Sequence, residues 1–176
     1  MIVIFLADGF EEIEAVVPWD IIRRAGGEVK FAGETEFVTG SLGLKIFVDI
    51  RIEDIDTTDL QAIILPGGMP GTKNLDDDKK VHEIINYCAK NGILICAICA
   101  APIIIGKMGL LQNKNACCYP GCEKYLLGAK ISKENVCSDG NFITARGPGA
   151  AFEFGFEIVK KFKETEIKRI KKEIQI

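Results

Sequence analysis

Three short apolar runs, each leading into glycine, proline or small residues, most constrain this chain: "VIFLA" at 3–7, "AIILPGG" at 62–68 and "GILICAI" at 92–98, with "EVKFAG" at 28–33 as a further strand between the first two. Runs this brief and nearly unbroken read as strands covered on both faces, not half-exposed ones. Helical spacing fills the gaps. "DGFEEIEAVVPWDIIRRAGG" (8–27) reads as a turn and then a helix, with Asp8, Glu11, Glu12 and Glu14 at its positive end and Arg23-Arg24 before a Gly-Gly stop. Pro18 inside that helix predicts a kink. Residues 37–49, glycine-rich at their centre, suggest a hairpin excursion. Residues 77–90 place Val81, Ile84, Ile85 and Cys88 on one helical face, and another helix is expected from Ala100. A weaker strand near 115–118, "NFITAR" at 141–146 and a closing helix with Phe154, Ile158 and Phe162 complete the body. Strands alternating with helices imply an α/β fold, a mostly parallel sheet with helices on both faces.

At 176 residues, without repeat or linker, one domain spanning 1–176 is expected. Residues 164–176 form a helical extension whose isoleucines at 167, 170 and 174 lie on the body beneath a solvated lysine face. The 22 basic side chains nearly balance 25 acidic ones, so no nucleic-acid partner is expected. The opening apolar residues lack a basic leader and meet Asp8 too early for a signal peptide, and the run 93–105 is too short to span a bilayer. A cytoplasmic protein with no membrane partner is the expectation. Seven irregularly spaced cysteines do not describe a secreted disulfide framework.

Ligands of open parallel sheets gather at the carboxyl ends of the strands. Three loops meet there: "ADGFEEIE", "PGGMPG" and "CAAP". The acidity of the first repels phosphate, and neither "PGGMPGTKNL" nor "GPGAAF" has the spacing of a phosphate-binding loop. No cofactor and no metal are expected; "CCYPGC" at 117–122 has no second cluster to complete four ligands. What remains is a thiol, carboxyls and glycine backbone. If Cys99 begins a helix, free N–H groups favour its thiolate, while Ala97, Ala100 and Ala101 let backbone approach closely. Glu11, Glu12 or Glu14 could face it, and a carboxyl beside a thiolate keeps its proton, so the pair shares one. Cys96 and Cys99 spell a CxxC, but Cys96 falls inside a strand, which argues against a redox pair. A buried, inert Cys99 is the competing reading. His82, the only histidine, falls on a solvated helix and leaves no evident Cys-His dyad.

Three segments in order, "ADGFEEIEAVVPWDIIRRAGG", "LPGGMPGTKNL" with "ICAICAAP", and "TARGPGAAFEFGFEIV", resemble the ThiJ/PfpI superfamily, most closely the branch containing the parkinsonism-associated deglycase. The resemblance runs from Met1 to about Phe162. It implies a flavodoxin-like three-layer sandwich and a homodimer. It also implies a nucleophile at Cys99, a protonated partner at Glu14, oxyanion-type N–H groups at Gly68 and Ala100, and Arg24 lining an anion pocket near the dimer interface. Implied activities are cofactor-independent conversion of a small carbonyl substrate such as methylglyoxal, repair of early glycation adducts, and oxidation sensing. Two positions depart from the branch: Tyr119 stands where relatives often have histidine, and Leu42 where they have a hairpin arginine. Ala100 replaces the histidine of the protease-like branch, which disfavours a peptidase.

Overall fold

The computed structural model describes residues 1–176. In chain order its elements are β1 (Ile2–Phe5), α1 (Glu12–Arg24), β2 (Val29–Gly33), β3 (Phe37–Thr39), β4 (Lys45–Phe47), β5 (Ile50–Arg51), β6 (Ala62–Leu65), α2 (Gly71–Asp77), α3 (Lys79–Asn91), β7 (Leu94–Ile98), α4 (Pro102–Lys107), β8 (Asn115–Ala116), β9 (Lys130–Ile131), β10 (Val136–Asp139), β11 (Phe142–Ala145), α5 (Ala151–Lys163) and α6 (Ile167–Glu173). Seven strands form the main sheet in the order β10-β11-β7-β6-β1-β2-β5. Every pairing in it is parallel except β10 with β11, where Cys137 stands opposite Thr144. The expected sandwich is therefore present, with an antiparallel edge strand that the apolar runs did not announce.

Alternation within the strands explains the two helical layers. Ile2, Ile4, Ile64, Cys96, Ile98 and Ile143 point to the layer holding α1 and α5, while Val3, Phe5, Ile63, Leu65 and Ile95 point to the layer holding α2, α3 and α4. Both faces of the central strands are thus buried, which is why their sequences run apolar without a break. Phe5, Phe10 and Phe154 are fully enclosed, each burial contributing about 2–3 kcal/mol. α5 lies close along α1 because Gly155 brings no side chain: a Cβ there would meet Ile21 Cδ1 at 2.8 Å.

Two expectations need correcting. The helix after the fourth strand begins at Pro102, not Ala100, since Cys99 takes the left-handed conformation (φ 65) and turns the chain first. The segment expected as one helix over 77–90 is α3 from Lys79, separated from α2 at Asp78, whose carboxylate accepts the N–H groups of Lys80 and Val81 and so restarts the helix. α1 runs continuously across Pro18, which removes only the bond that the Glu14 carbonyl would accept. The hairpin is β3 paired antiparallel with β4. No helix is long and apolar enough to cross a membrane. At the C-terminus, α6 seats Ile170 in the core, and Arg169 donates to the Arg24 carbonyl at 2.7 Å.

Candidate active site

Chain direction changes at the carboxyl ends of β1 and β6, with β2 on one side of the pair and β7 on the other. This is the switch point where parallel sheets open a crevice. Three connections converge on it. After β1, Asp8–Glu11 leads into α1, whose first turn carries Glu14. After β6, the chain turns through Gly67 and Gly68 and a cis Met69–Pro70 peptide. After β7 comes Cys99.

Cys99 holds a backbone conformation that non-glycine residues rarely adopt, and two hydrogen bonds pin it: its N–H donates to the Ala145 carbonyl at 2.8 Å, and its own carbonyl accepts the Tyr119 N–H at 2.8 Å. The turn leaves the sulfur facing the N–H groups of Ala100 and Gly68 and the carboxyl of Glu14. Glu14 is fully enclosed. Its Oε2 accepts the Gly67 N–H at 2.8 Å, whereas Oε1 has no properly aligned donor around it. An ionised carboxylate with one oxygen so placed is costly, and a protonated one can give its hydrogen to the sulfur.

Burial, the largest influence, raises the Glu14 carboxyl to about 7; the neighbouring Cys99 thiol and the Gly67 N–H oppose the rise, and the charge of Glu11 adds to it. Burial also pushes the Cys99 thiol up, followed by the negative charge of the nearby Glu14, with the Ala100 and Gly68 N–H groups pulling the other way. Of the free helical N–H groups expected beside the sulfur, that of Ala100 acts as expected, but the helix itself does not begin there. α4 begins three residues later, and burial and the charge of Glu14 both hold the thiol's proton in place. Two negative charges in one crevice repel, so an ionised Glu14 raises the thiol further.

Glycine is required around the pair. A Cβ on Gly67 would lie 2.7 Å from both Cys99 Cβ and Glu14 Oε2, and Gly68 has φ 87 with the Gly9 carbonyl against it. The family resemblance implies a role for Gly68 but not for Gly67, whose N–H orients the carboxyl. The only signal was its place in the glycine pair after a buried strand.

Other expected residues are placed as follows. Tyr119 adjoins Cys99 through its backbone, and its ring is half-exposed against Gly147. Arg24 is not brought to the crevice within one chain: it ends α1, about 15 Å along the helix from Glu14, and is bound by Asp20 at 2.7 Å and Glu173 at 3.9 Å. Leu42 is 85% exposed at the hairpin tip, where its N–H donates to Glu12 at 2.7 Å. Glu12 also accepts the Ser41 hydroxyl at 3.1 Å, so it clasps the hairpin instead of facing the thiol. His82 sits on α3, in the opposite helical layer from α1, with Nε2 3.2 Å from Asp76. Cys99 therefore has no imidazole partner from its own chain.

The description DJ-1/PfpI family matches residues 1–161. Over 167 residues the chain is 33% identical to Protein dj-1beta of Drosophila melanogaster, covering 93% of this chain and 89% of that protein. It is 35% identical over 158 residues to Glutathione-independent glyoxalase DJR-1.2 of Caenorhabditis elegans, covering 89% and 84%. Among solved structures, that of Toxoplasma gondii DJ-1, oxidized, superimposes with a TM-score of 0.93 at 31% identity, covering 99% of this chain and 97% of that one.

Proposed function

The chain belongs to the DJ-1/PfpI family, in its DJ-1-like branch, and from that premise we propose that it converts small 2-oxoaldehydes to 2-hydroxy acids, or releases them from early glycation adducts, without a cofactor. One observation carries the reading: a thiol on a strained turn, faced by two backbone N–H groups and by a buried carboxyl with an oxygen free to hold its proton. The name glutathione-independent glyoxalase, borne by a relative 35% identical, supports it.

In the proposed cycle the Cys99 thiolate adds to the aldehyde carbon, and the new alkoxide is held by the Ala100 and Gly68 N–H groups. Glu14 gives its proton to that alkoxide and, now ionised, takes the proton from the former aldehyde carbon and returns it to the adjacent one, while the hydroxyl proton passes to the neighbouring oxygen, giving a thioester of a 2-hydroxy acid. Water then cleaves the thioester and restores the thiol. The net change is addition of one water. Methylglyoxal should be turned over by the wild-type chain and not by Cys99→Ser; equal rates in the two would reject the proposal.

A second reading has its own support. Tyr119 and Leu42 supply neither the imidazole nor the guanidinium that the resemblance led one to expect at those positions, and the similar Toxoplasma gondii structure is described as oxidized. Under it, Cys99 is oxidised to a sulfinate steadied by protonated Glu14. Mild peroxide should then place oxygen on Cys99 ahead of the other six cysteines, as peptide mass spectrometry would read.

A homodimer is the partner arrangement we propose. Ile13 of α1 and Leu42 and Leu44 of the hairpin are exposed, and the Glu12 clasp holds these elements together as one apolar face. Sedimentation should give twice the chain mass, and Leu42→Asp with Leu44→Asp should shift it to the monomer.

A further inference from the structure

We propose that Cys117 and Cys137 form a second redox site, a dithiol that closes to an intramolecular disulfide under peroxide. The inference does not depend on the chemistry assigned to Cys99. Cys137 of β10 stands directly opposite Thr144 of β11, so the two side chains rise from one face of the ladder, with Cβ atoms about 5 Å apart. Cys117, immediately after β8, is fastened over that same threonine. Its N–H donates to Thr144 Oγ1 at 3.0 Å, and its thiol donates to the Thr144 carbonyl at 3.2 Å. Both cysteines therefore lie against Thr144 from neighbouring elements, and Cys137 is close enough to be felt by the Cys117 thiol.

Access differs between the two. Cys117 is fully enclosed and Cys137 is 7% exposed, so an oxidant reaches Cys137 first. Burial, followed by the neighbouring Cys137, pushes the Cys117 thiol up to about 12, which suits a slow resolving partner better than the group attacked first. The Cys137 thiolate displaces hydroxide from the peroxide and becomes a sulfenic acid. Cys117 sulfur then attacks that sulfur, and its hydroxyl leaves as water. Two thiols and one peroxide give one disulfide and two waters. The bond would fasten the 115–119 segment to β10, and that segment holds Tyr119, whose N–H grips the Cys99 carbonyl.

The test uses the folded Cys99→Ala chain, treated with hydrogen peroxide, alkylated at its remaining thiols and mapped by mass spectrometry. A peptide joining Cys117 to Cys137, lighter by two hydrogens, is expected. The melting temperature should rise by about 5–10 °C and fall back with dithiothreitol. Cys137→Ser should lose the cross-link and Cys122→Ser should keep it. The proposal is overturned if Cys117 and Cys137 both carry the alkyl label after peroxide has been consumed, or if Cys118 and Cys122 are joined instead. Should Cys137→Ser fail to fold, the map of the Cys99→Ala chain alone decides.

Discussion

Glu14→Gln is expected to abolish dicarbonyl turnover and, above pH 7, to stabilise the protein. Burial lifts this carboxyl from 4.5 to about 7. In the unfolded chain it ionises near 4.5, so between these values the folded form holds a proton that the unfolded form has released. The contribution is complete below pH 4.5 and is lost as pH rises through 7, a fall of about 3 kcal/mol. Glutamine fills the same volume without ionising. Its oxygen can accept the Gly67 N–H, and its amide can donate to sulfur. The variant's stability should therefore stay level from pH 4.5 to 8 while that of the wild type falls, which denaturant unfolding at several pH values would measure. Turnover should drop by about 10²–10⁴-fold because no group remains to carry the proton between carbons. Alkylation of Cys99 by iodoacetamide should persist, since the amide removes the negative charge that opposes the thiolate. Parallel stability profiles for the two proteins would show that the carboxyl is not held protonated by burial, and the proton-sharing account would fail.

The residues alone left Glu11, Glu12 and Glu14 open as the acid facing the thiol, the family resemblance pointed to Glu14, and the structure encloses Glu14 while Glu12 binds the hairpin. Buried strands are legible because both faces are covered, so "AIILPGG" and "GILICAI" show their burial residue by residue. β10 was invisible for the opposite reason: Val136–Asp139 is an edge strand with one buried position among four, and "VCSD" carries no run. The helix at Asp78 divides because one carboxylate caps a new start, a local bond that apolar spacing does not report. Cys99 is the sharpest case. Its residue type gives no sign of a positive φ, since the conformation is imposed by Ala145 and Tyr119, 46 and 20 positions away in the chain. Sequence could place a thiol at a strand end, but only the assembled loops settle that N–H groups from two different connections reach its sulfur.

Gly67→Ala should be nearly as damaging as loss of the thiol, although it removes no reactive atom. The added methyl would enter a space bounded by Cys99 Cβ and Glu14 Oε2, each at 2.7 Å, and by the Ala100 N at 3.0 Å. None of these is the free end of a flexible side chain: Cys99 is fixed by its turn, Ala100 is backbone, and Glu14 is fully enclosed. Relief requires the 66–68 loop to withdraw, taking with it the N–H that orients the carboxyl. A destabilisation of about 2–4 kcal/mol follows from overpacking a site that cannot yield. Activity should fall by about 10²-fold or more as thiol, acid and N–H groups lose register. Gly149→Ala is the matched control, because nothing lies within 4 Å of its added Cβ and its backbone is not left-handed. It should change stability by less than about 0.5 kcal/mol. If thermal unfolding and methylglyoxal turnover were the same for the two alanine variants, Gly67 would not be the keystone of the crevice, and the close approach of the three loops would have no functional weight.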